Sequence, residues 1–336
     1  MAVRAKVVAD CTGDGCIAAL AGCGFDIGRT GDGRLQPMSL EFVLEDVAPD
    51  AIIVFGGSDP VKIPSGEYAG MEFREFCKLK NREGELPENV TIVRLHFKTR
   101  PTEREVNATQ VNGLDPLDPA DVAAAEIELR SQIAIITEFL RKYIPGYENC
   151  RVSDSSDGVR ESRRIRGIDA VCDADVEEGR MRADAVVHNA WFLIDIHNPA
   201  GGGQAEGHSR MAKPYDIPYG AFLPADADGL IVAGRCISGT HRAHASYRVM
   251  AICMAKPNRQ DCLSMNFAIR LPCAASIQRI SLPRISAPSF PHAESSCNLI
   301  IKKHPGAVGF TFDSFRGIFC VYLFFAISAS MQHSSS

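Results

Sequence analysis

Residues 229–254, GLIVAGRCISGTHRAHASYRVMAICM, carry the side chains best suited to chemistry. An apolar run, residues 230–233, leads into Gly234 and Arg235, and a segment rich in Ser, Thr, His and Arg follows. A strand ending in Gly-Arg places backbone N–H groups and a cation at the carboxyl edge of a sheet, where α/β proteins bind anionic groups. Histidine titrates near neutral pH, so His241 and His244 add acid–base capacity. The alternative is that these polar residues only cap a helix expected to begin at about Ser246.

A second group of candidates is the arginine-rich segment 159–167, VRESRRIRG. In a strand, Arg160, Ser162, Arg164 and Arg166 would share one face, because side chains alternate between faces. Converging guanidinium groups suit a carboxylate or another electron-rich group. The alternative is an ordinary solvated charged face.

Residues 10–15, DCTGDG, follow a predicted strand, and Gly13-x-Gly15-x-x-Ala18 matches a dinucleotide-binding fingerprint. Such a βαβ unit needs a second strand, ending in an acid, about 30 residues further on. Glu41 and Glu45 instead lie inside the next candidate strand. A nicotinamide-binding site and a plain glycine turn therefore both remain hypotheses for this segment.

These segments resemble the FAD-dependent oxidoreductases related to the heterodisulfide reductase flavin subunit. The resemblance spans roughly residues 5–255 and is strongest at 107–119, 158–167 and 215–254. It implies that DCTGDG is the turn after the last strand of the FAD sheet. It also implies that FAD is the cofactor and accepts a hydride from a small organic substrate. No nucleic acid is expected as a partner, and the sequence does not indicate an oligomeric state.

The resemblance implies a role for individual residues, carried over position by position. The expected cofactor contacts are Thr12, Gly13, Asp14, Gly15, Gly234, Arg235 and Ser238. The residues expected to take part in the chemistry are Arg160, Arg163, His241 and Arg248. His197 and Tyr219 match the family's substrate-domain segments, although a buried, hydrogen-bonded side chain is the commoner role for a single histidine.

The elements that must position these residues follow from periodicity and capping signals. Residues 120–143 predict a long amphipathic helix with Asp118 as N-cap and Pro119 as its first residue. Its expected core face is Val122, Ile127, Ile133, Ile136, Phe139 and Leu140. Strands are expected within 5–10, 36–47, 90–97 and 230–233, and a helix in the latter half of 65–80.

The predicted fold class is α/β, a partial FAD/NAD(P)-binding three-layer domain with an inserted mixed, β-rich substrate domain. The FAD-binding parts are expected at 1–30 and 229–255, and the substrate domain at 31–228. Residues 256–336 carry few acids and much Pro and Ser, with Lys256-Pro257 where the family continues a helix, so a disordered tail is expected. Because the first βαβ unit of the family has no counterpart, the chain is expected to be incomplete at both ends. A non-catalytic remnant that binds no flavin is the rival hypothesis to an active enzyme.

Composition limits the remaining classes of function. The 336 residues are 46% hydrophobic with a net charge of −5, which is typical of a globular protein without a nucleic-acid footprint. No signal peptide is recognised, so a cytoplasmic location is expected, and the apolar run 317–331 is too short for a confident membrane span. The 12 cysteines include no C-x-x-C pair. Buried thiols are therefore expected and no metal site; some family relatives carry a 4Fe-4S cluster, which this spacing does not support.

Overall fold

A computed structural model describes residue 5 and residues 7–56, 60–156, 158–207 and 209–254. The predicted disordered tail and the apolar run 317–331 lie outside these residues. Within the described ranges, no helix combines the length and apolar character needed to cross a membrane.

The helices include one long element and several short ones. Their bounds are α1 Cys16–Leu20, α2 Phe73–Arg82, α3 Pro119–Tyr143, α4 Asp173–Glu178, α5 His241–Tyr247 and α6 Met250–Met254, with a 3₁₀ turn at Tyr219–Phe222.

The strands are short and form several small sheets. Their bounds are β1 Val8–Asp10, β2 Phe25–Ile27, β3 Glu41–Glu45, β4 Arg94–Phe97, β5 Arg104–Asn107, β6 Arg151–Ser155, β7 Arg163–Ile165, β8 Ala185–Ala190, β9 Leu193–Ile194, β10 Arg210–Met211, β11 Tyr215–Pro218 and β12 Leu230–Val232. Helices and strands are mixed along the chain, as expected for an α/β protein. The three-layer arrangement and the inserted domain stay predictions.

The chain divides into two compact units. Unit 1 comprises the described residues within Met1–Asp26, Arg163–Phe192 and Ala212–Ser336, and unit 2 comprises Ile27–Ser162 and Leu193–Met211. These units differ from the predicted domain ranges, because residues 163–192 and 212–228 belong to unit 1. A bridge between Val171 and Gly239 and the antiparallel pairing of β8 with β11 explain this assignment.

Unit 2 is built on a four-stranded antiparallel sheet in the order β4-β5-β3-β6. Its register aligns Leu95, Val106 and Phe42 across three strands, and each is at most 1% exposed. Because strand side chains alternate, the residues before and after these three project from the opposite face. One face of the sheet therefore belongs to the core, and the other is free to carry polar groups.

Helix α3 begins as predicted, with the Asp118 carboxylate accepting from the Ala120 N–H at 2.9 Å. Phe139 stacks on Phe76 of α2 with ring centroids 5.5 Å apart, which joins the two helices in the core. The prediction that Ile127 faces the core is wrong, because its side chain is 73% exposed. Leu129 is buried instead. The buried face follows residues 125, 129, 133, 136 and 140, and Ile127 lies nearly opposite on the helix.

Glu85 ties the ends of α2 and α3 together. Its carboxylate accepts from the Tyr143 hydroxyl at 2.8 and 2.5 Å, and from Lys142 and Lys80 at 2.9 Å each. These donors, the Tyr143 hydroxyl first, lower the pKa of Glu85 to about 2. The ammonium of Lys80 also lies over the Tyr143 ring, 4.6 Å from its centroid.

Among its described residues, unit 1 contains two complete two-stranded sheets and most of a third, whose strand β2 ends at Ile27 of unit 2. Strand β1 pairs in parallel with β12, β8 pairs antiparallel with β11, and β2 pairs with β7. Strands β1 and β12 fall where the sequence predicted strands. Because they run in parallel, the turns that follow them emerge at the same edge.

Gly158 supports a first prediction, on packing in unit 2. A Cβ at Gly158 would lie 1.5 Å from the carbonyl oxygen of Ser39, whose N–H donates to the Gly158 carbonyl at 2.9 Å. Gly158→Ala is expected to destabilise the protein by about 1–3 kcal/mol, because two backbones must separate. In Gly201→Ala the nearest atom would be 3.7 Å away, so this control should melt close to wild type. Equal melting temperatures for the two variants would contradict the close approach.

Glu85 supports a second prediction, on acid stability. Its folded pKa of about 2 lies below the value of about 4.3 expected in an unfolded chain. Its stabilising contribution is therefore complete above about pH 4.3 and is lost as the pH falls towards 2. The thermal midpoint of wild type should fall over this interval by a few degrees more than that of Glu85→Gln. Glu126→Gln, which removes an exposed ion pair with Arg130, is the control and should behave like wild type.

Candidate active site

The two predicted cofactor loops meet because β1 and β12 are neighbours. The register pairs Asp10 with Val232, so residues 11–15 and residues 233–235 leave the sheet side by side. The position of a Cβ on Gly234 would be 4.0 Å from the Cα of Gly13. The segments are more than 200 residues apart in sequence, and the structure brings them into contact.

Asp10 organises the first loop. Its side chain is fully buried, and its carboxylate accepts from the Thr12 N–H at 3.0 Å, the Thr12 hydroxyl at 2.7 Å and the Ala18 N–H at 2.9 Å. The Thr12 hydroxyl in turn accepts from the Cys16 N–H at 2.9 Å. The N–H groups of Cys16 and Ala18, in the first turn of α1, are therefore occupied by the chain itself.

This arrangement bears on the nicotinamide-binding hypothesis. A dinucleotide fingerprint uses the N–H groups at the helix start to hold a pyrophosphate, and here Asp10 and Thr12 already hold two of them. The strand that would complete the βαβ unit, β3, instead pairs antiparallel with β5 and β6 in unit 2. The topology at these residues therefore does not support that hypothesis.

Gly13 makes room for Arg235. A Cβ at Gly13, which has a φ of 77°, would lie 2.8 Å from Nη1 of Arg235. The Nη2 of Arg235 forms an ion pair with Asp14 at 2.5 Å, and Nη1 of Arg163 donates to the Asp14 carbonyl oxygen at 3.3 Å. Gly15 similarly admits Ile165, since its Cβ would lie 2.7 Å from Cδ1 of that residue. Two predicted cations, Arg163 and Arg235, are thus fixed beside the DCTGDG turn.

Helix α5 begins five residues earlier than predicted, at His241 and not at Ser246. The cause is Thr240, whose hydroxyl accepts from the Ala243 N–H at 3.2 Å and contacts the Asp173 carboxylate of α4. This start places His244 and Ser246 on the buried side of a helix. The polar stretch therefore forms the helix itself, and only Thr240 caps it through its side chain.

His244 is a strongly perturbed group in unit 1. Its side chain is fully buried, and neither ring nitrogen has a hydrogen-bond partner among the described residues. Its ring packs edge-on against Tyr247, with centroids 5.4 Å apart. Burial lowers the pKa of His244 well below its ordinary value, and nearby positive charges lower it further. The imidazole is therefore neutral at pH 7.

The residues whose positive charges act on His244 form what we call the cationic cluster. In order of effect on its pKa they are Arg248, Arg164, His241 and Arg235. Arg164 is 4% exposed and donates from Nε to the Gly239 carbonyl oxygen at 3.0 Å. The Nε atoms of Arg235 and Arg163 are buried without a hydrogen-bond partner among the described residues. Buried donors and an unpartnered imidazole fit an anionic ligand with several acceptor atoms, as FAD has.

Ten of the eleven predicted site residues belong to unit 1, and Arg160 does not. Arg160 lies in unit 2, where its Nη1 donates to the Pro37 carbonyl oxygen at 2.9 Å. The predicted strand through the arginine block is wrong in extent, since β7 covers only Arg163–Ile165. Arg166, expected to share a face with Arg160 and Arg164, is instead exposed and paired with Asp26 at 2.6 Å.

The sequence analysis missed Asp10, and it named His244 and Arg164 as candidates without including them among the residues expected to take part in the chemistry. An acid at the end of an apolar strand, directly before Cys-Thr-Gly, was the available signal for Asp10. The available signal for Arg164 was the arginine-rich segment 159–167, and the signal for His244 was the His-x-x-His spacing that it forms with His241. No group of three or more His, Cys, Asp or Glu side chains within the described ranges is arranged to hold a metal ion, so nothing supports a 4Fe-4S cluster there.

His244 supports a third prediction. Because its folded pKa lies below the value of about 6.5 of a free histidine, the unfolded chain binds one more proton below about pH 6.5. Stability is therefore expected to fall as the pH drops below about 6.5, by up to about 1.4 kcal/mol per pH unit. His244→Phe keeps a ring against Tyr247 and should lose this dependence. Urea unfolding at about pH 7.5 and about pH 5.5 measures it, and parallel responses of the two proteins would contradict it.

Comparison with known proteins assigns the family. The family model described as FAD dependent oxidoreductase matches residues 1–256, which includes both loops, the arginine block and helix α5. No curated protein and no solved structure matches the chain. Because the match covers most of the chain, this protein belongs to the FAD dependent oxidoreductase family.

Proposed function

We propose that this protein is an oxidoreductase related to the heterodisulfide reductase flavin subunit, in which a small organic substrate gives a hydride to FAD. The observation that carries the proposal is His244, fully buried within the cationic cluster, with no hydrogen-bond partner for its ring among the described residues. FAD, when bound, supplies the two-electron acceptor of the reaction. The protein contributes binding, orientation and electrostatics.

The loop residues are proposed to hold the cofactor. Arg235 and Arg163 place positive charge beside the DCTGDG turn, where it can attract the pyrophosphate. Gly13 and Gly234 allow a close backbone approach, since neither has a side chain and both have positive φ. Asp14 keeps Arg235 in place. Thr12, Gly15 and Ser238 complete the proposed set of contacts.

The helix residues are proposed to act on the reacting part of the ligands. Neutral His244 can donate one hydrogen bond and accept another, and the surrounding cations keep it neutral. His241 is proposed to move a proton, and Arg248 and Arg163 to stabilise negative charge that develops during the reaction. Arg160, in unit 2, is proposed to bind substrate.

A non-catalytic protein that binds no flavin is the second candidate. The observation in its favour is the ion pair between Arg235 and Asp14 at 2.5 Å, which already neutralises one cation that the cofactor would use. An ion pair of this kind stabilises a loop without any ligand. The two candidates differ in whether the purified chain retains FAD.

The fourth prediction separates them. The full chain, mixed with FAD and then desalted, is expected to keep the visible absorption of bound flavin. Arg235→Gln should weaken FAD binding about tenfold or more, because a hydrogen bond to a charged group contributes roughly 1.5–3 kcal/mol. The control Arg130→Gln, on the exposed side of α3, should bind as wild type does. Wild type that retains no flavin would overturn the proposal and leave the non-catalytic candidate.

A further inference from the structure

Unit 2 contains a small polar cleft of its own, and Arg160 is among the residues that line it. The cleft lies between the polar face of the sheet and residues 197–204, and its cavity volume is about 20 Å³. Its polar lining includes Arg94, Asn107, Gln110, Arg160, His197 and Gln204. The enclosed part of the cleft therefore has room for about one water-sized group, so a ligand would enter it by a small polar end.

Strand register explains why charged residues line the cleft. Arg94 pairs with Asn107, which pairs with Glu41, so the three share one face of the sheet. Their sequence neighbours Leu95, Val106 and Phe42 face the core. The alternation fixes Arg94 on the side away from the core, whatever its rotamer.

Arg94 is unusual among the arginines of unit 2. It forms no hydrogen bond and no ion pair with any residue that the structure describes, although Asp195 and Glu41 are near enough to affect it electrostatically. Burial lowers its pKa, which the two carboxylates oppose. The nitrogens of this partly buried guanidinium lack acceptors among the described residues but are open to solvent, so a ligand with acceptor atoms can take the place of water.

The two nearby acids are engaged with other groups. Asp195 accepts from Gln204 at 2.6 Å through Oδ1 and is 3.1 Å from the His197 ring through Oδ2. Glu41 accepts from the Asn107 amide at 2.7 Å. These two carboxylates reduce the positive potential of the cleft but form no hydrogen bond with Arg94.

The loop of residues 197–204, which faces the sheet across the cleft, is held in place by hydrogen bonds and close packing. Gln110 donates to the Gly201 carbonyl oxygen at 2.5 Å, and Asn112 donates to the Asn198 carbonyl oxygen at 2.8 Å. A Cβ at Gly202 would lie 2.8 Å from the Asn89 carbonyl oxygen, so the loop packs closely on residues 89–91. The cleft is therefore preformed and needs no rearrangement to receive a ligand.

We propose that this cleft binds the carboxylate of a small organic acid, with Arg94 as its anchor and Arg160 and His197 beside it. The guanidinium fork matches a planar carboxylate through two parallel hydrogen bonds. Arg94 and Arg160 carry two positive charges against the two negative charges of Asp195 and Glu41, a balance that favours a monoanion over a dianion such as phosphate. That this acid is the substrate of the enzyme rests on the proposed function.

The test uses the full chain without FAD and acetate as the probe. Saturation-transfer NMR should detect acetate binding to wild type, and Arg94→Gln should weaken that binding at least tenfold. Arg94→Lys keeps the positive charge but loses the paired N–H donors of the guanidinium. Its affinity for acetate should therefore lie between those of wild type and Arg94→Gln. Arg235→Gln and Arg130→Gln are the controls and should keep the Arg94-dependent binding.

Chemical modification locates the bound carboxylate. Acetate should slow the reaction of Arg94 with methylglyoxal, a small reagent without a ring, measured by peptide mass spectrometry, while leaving that of exposed Arg130 unchanged. Equal acetate binding in wild type and Arg94→Gln, or inorganic phosphate that protects Arg94 better than acetate, would overturn the inference. Because neither readout needs flavin, its failure differs from failure of the proposed function, which flavin retention reports.

Discussion

The parallel pairing of β1 with β12 is the interaction on which the candidate site depends. Only three residue pairs define it, and the last, Asp10 with Val232, sets where both loops leave the sheet. A slip of one residue would turn every side chain of the strand to the other face and remove the Asp10 carboxylate from Thr12 and Ala18. The contact of Gly13 with Arg235 depends on the same register. A single buried carboxylate thus connects strand pairing to the shape of the loop.

The electrostatics of the two loops and of helix α5 differ from those of an ordinary polar interior. Folding places the cationic cluster around a histidine that is fully buried and neutral. Gathering these cations in one place opposes folding through their mutual repulsion, while burial and like charge disfavour protonation of the imidazole. Asp14 offsets part of this cost at Arg235. Perturbed titratable groups of this kind concentrate at functional sites, and the family match to FAD dependent oxidoreductases gives the arrangement a chemical reason.

What could be predicted from the sequence was mostly local. Asp118 and Pro119 specify the start of α3 through capping chemistry that acts within a few residues, and the apolar run before Gly234 specifies β12. The start of α5 could not be predicted in this way, because Thr240 is held partly by Asp173 of another helix. All but one of the residues that the motif resemblance selected as site residues lie in unit 1. The resemblance placed Arg160 and Arg163 in one motif, although they belong to different units. A unit boundary depends on long-range packing, so the local sequence does not indicate where it falls.

Arg94 and Arg104 show why residue type alone does not reveal a site. The two arginines lie on adjacent strands of one sheet. Arg104 faces the core and is fully buried, and its guanidinium donates to carbonyl oxygens that include those of Pro101, Ala48 and Ala51. Those bonds explain Arg104 as a structural residue that closes a turn. Arg94 lies on the opposite face of the sheet and has no such acceptors among the described residues, so its guanidinium is available to a ligand. The difference lies in strand register, which becomes visible only when the sheet is assembled.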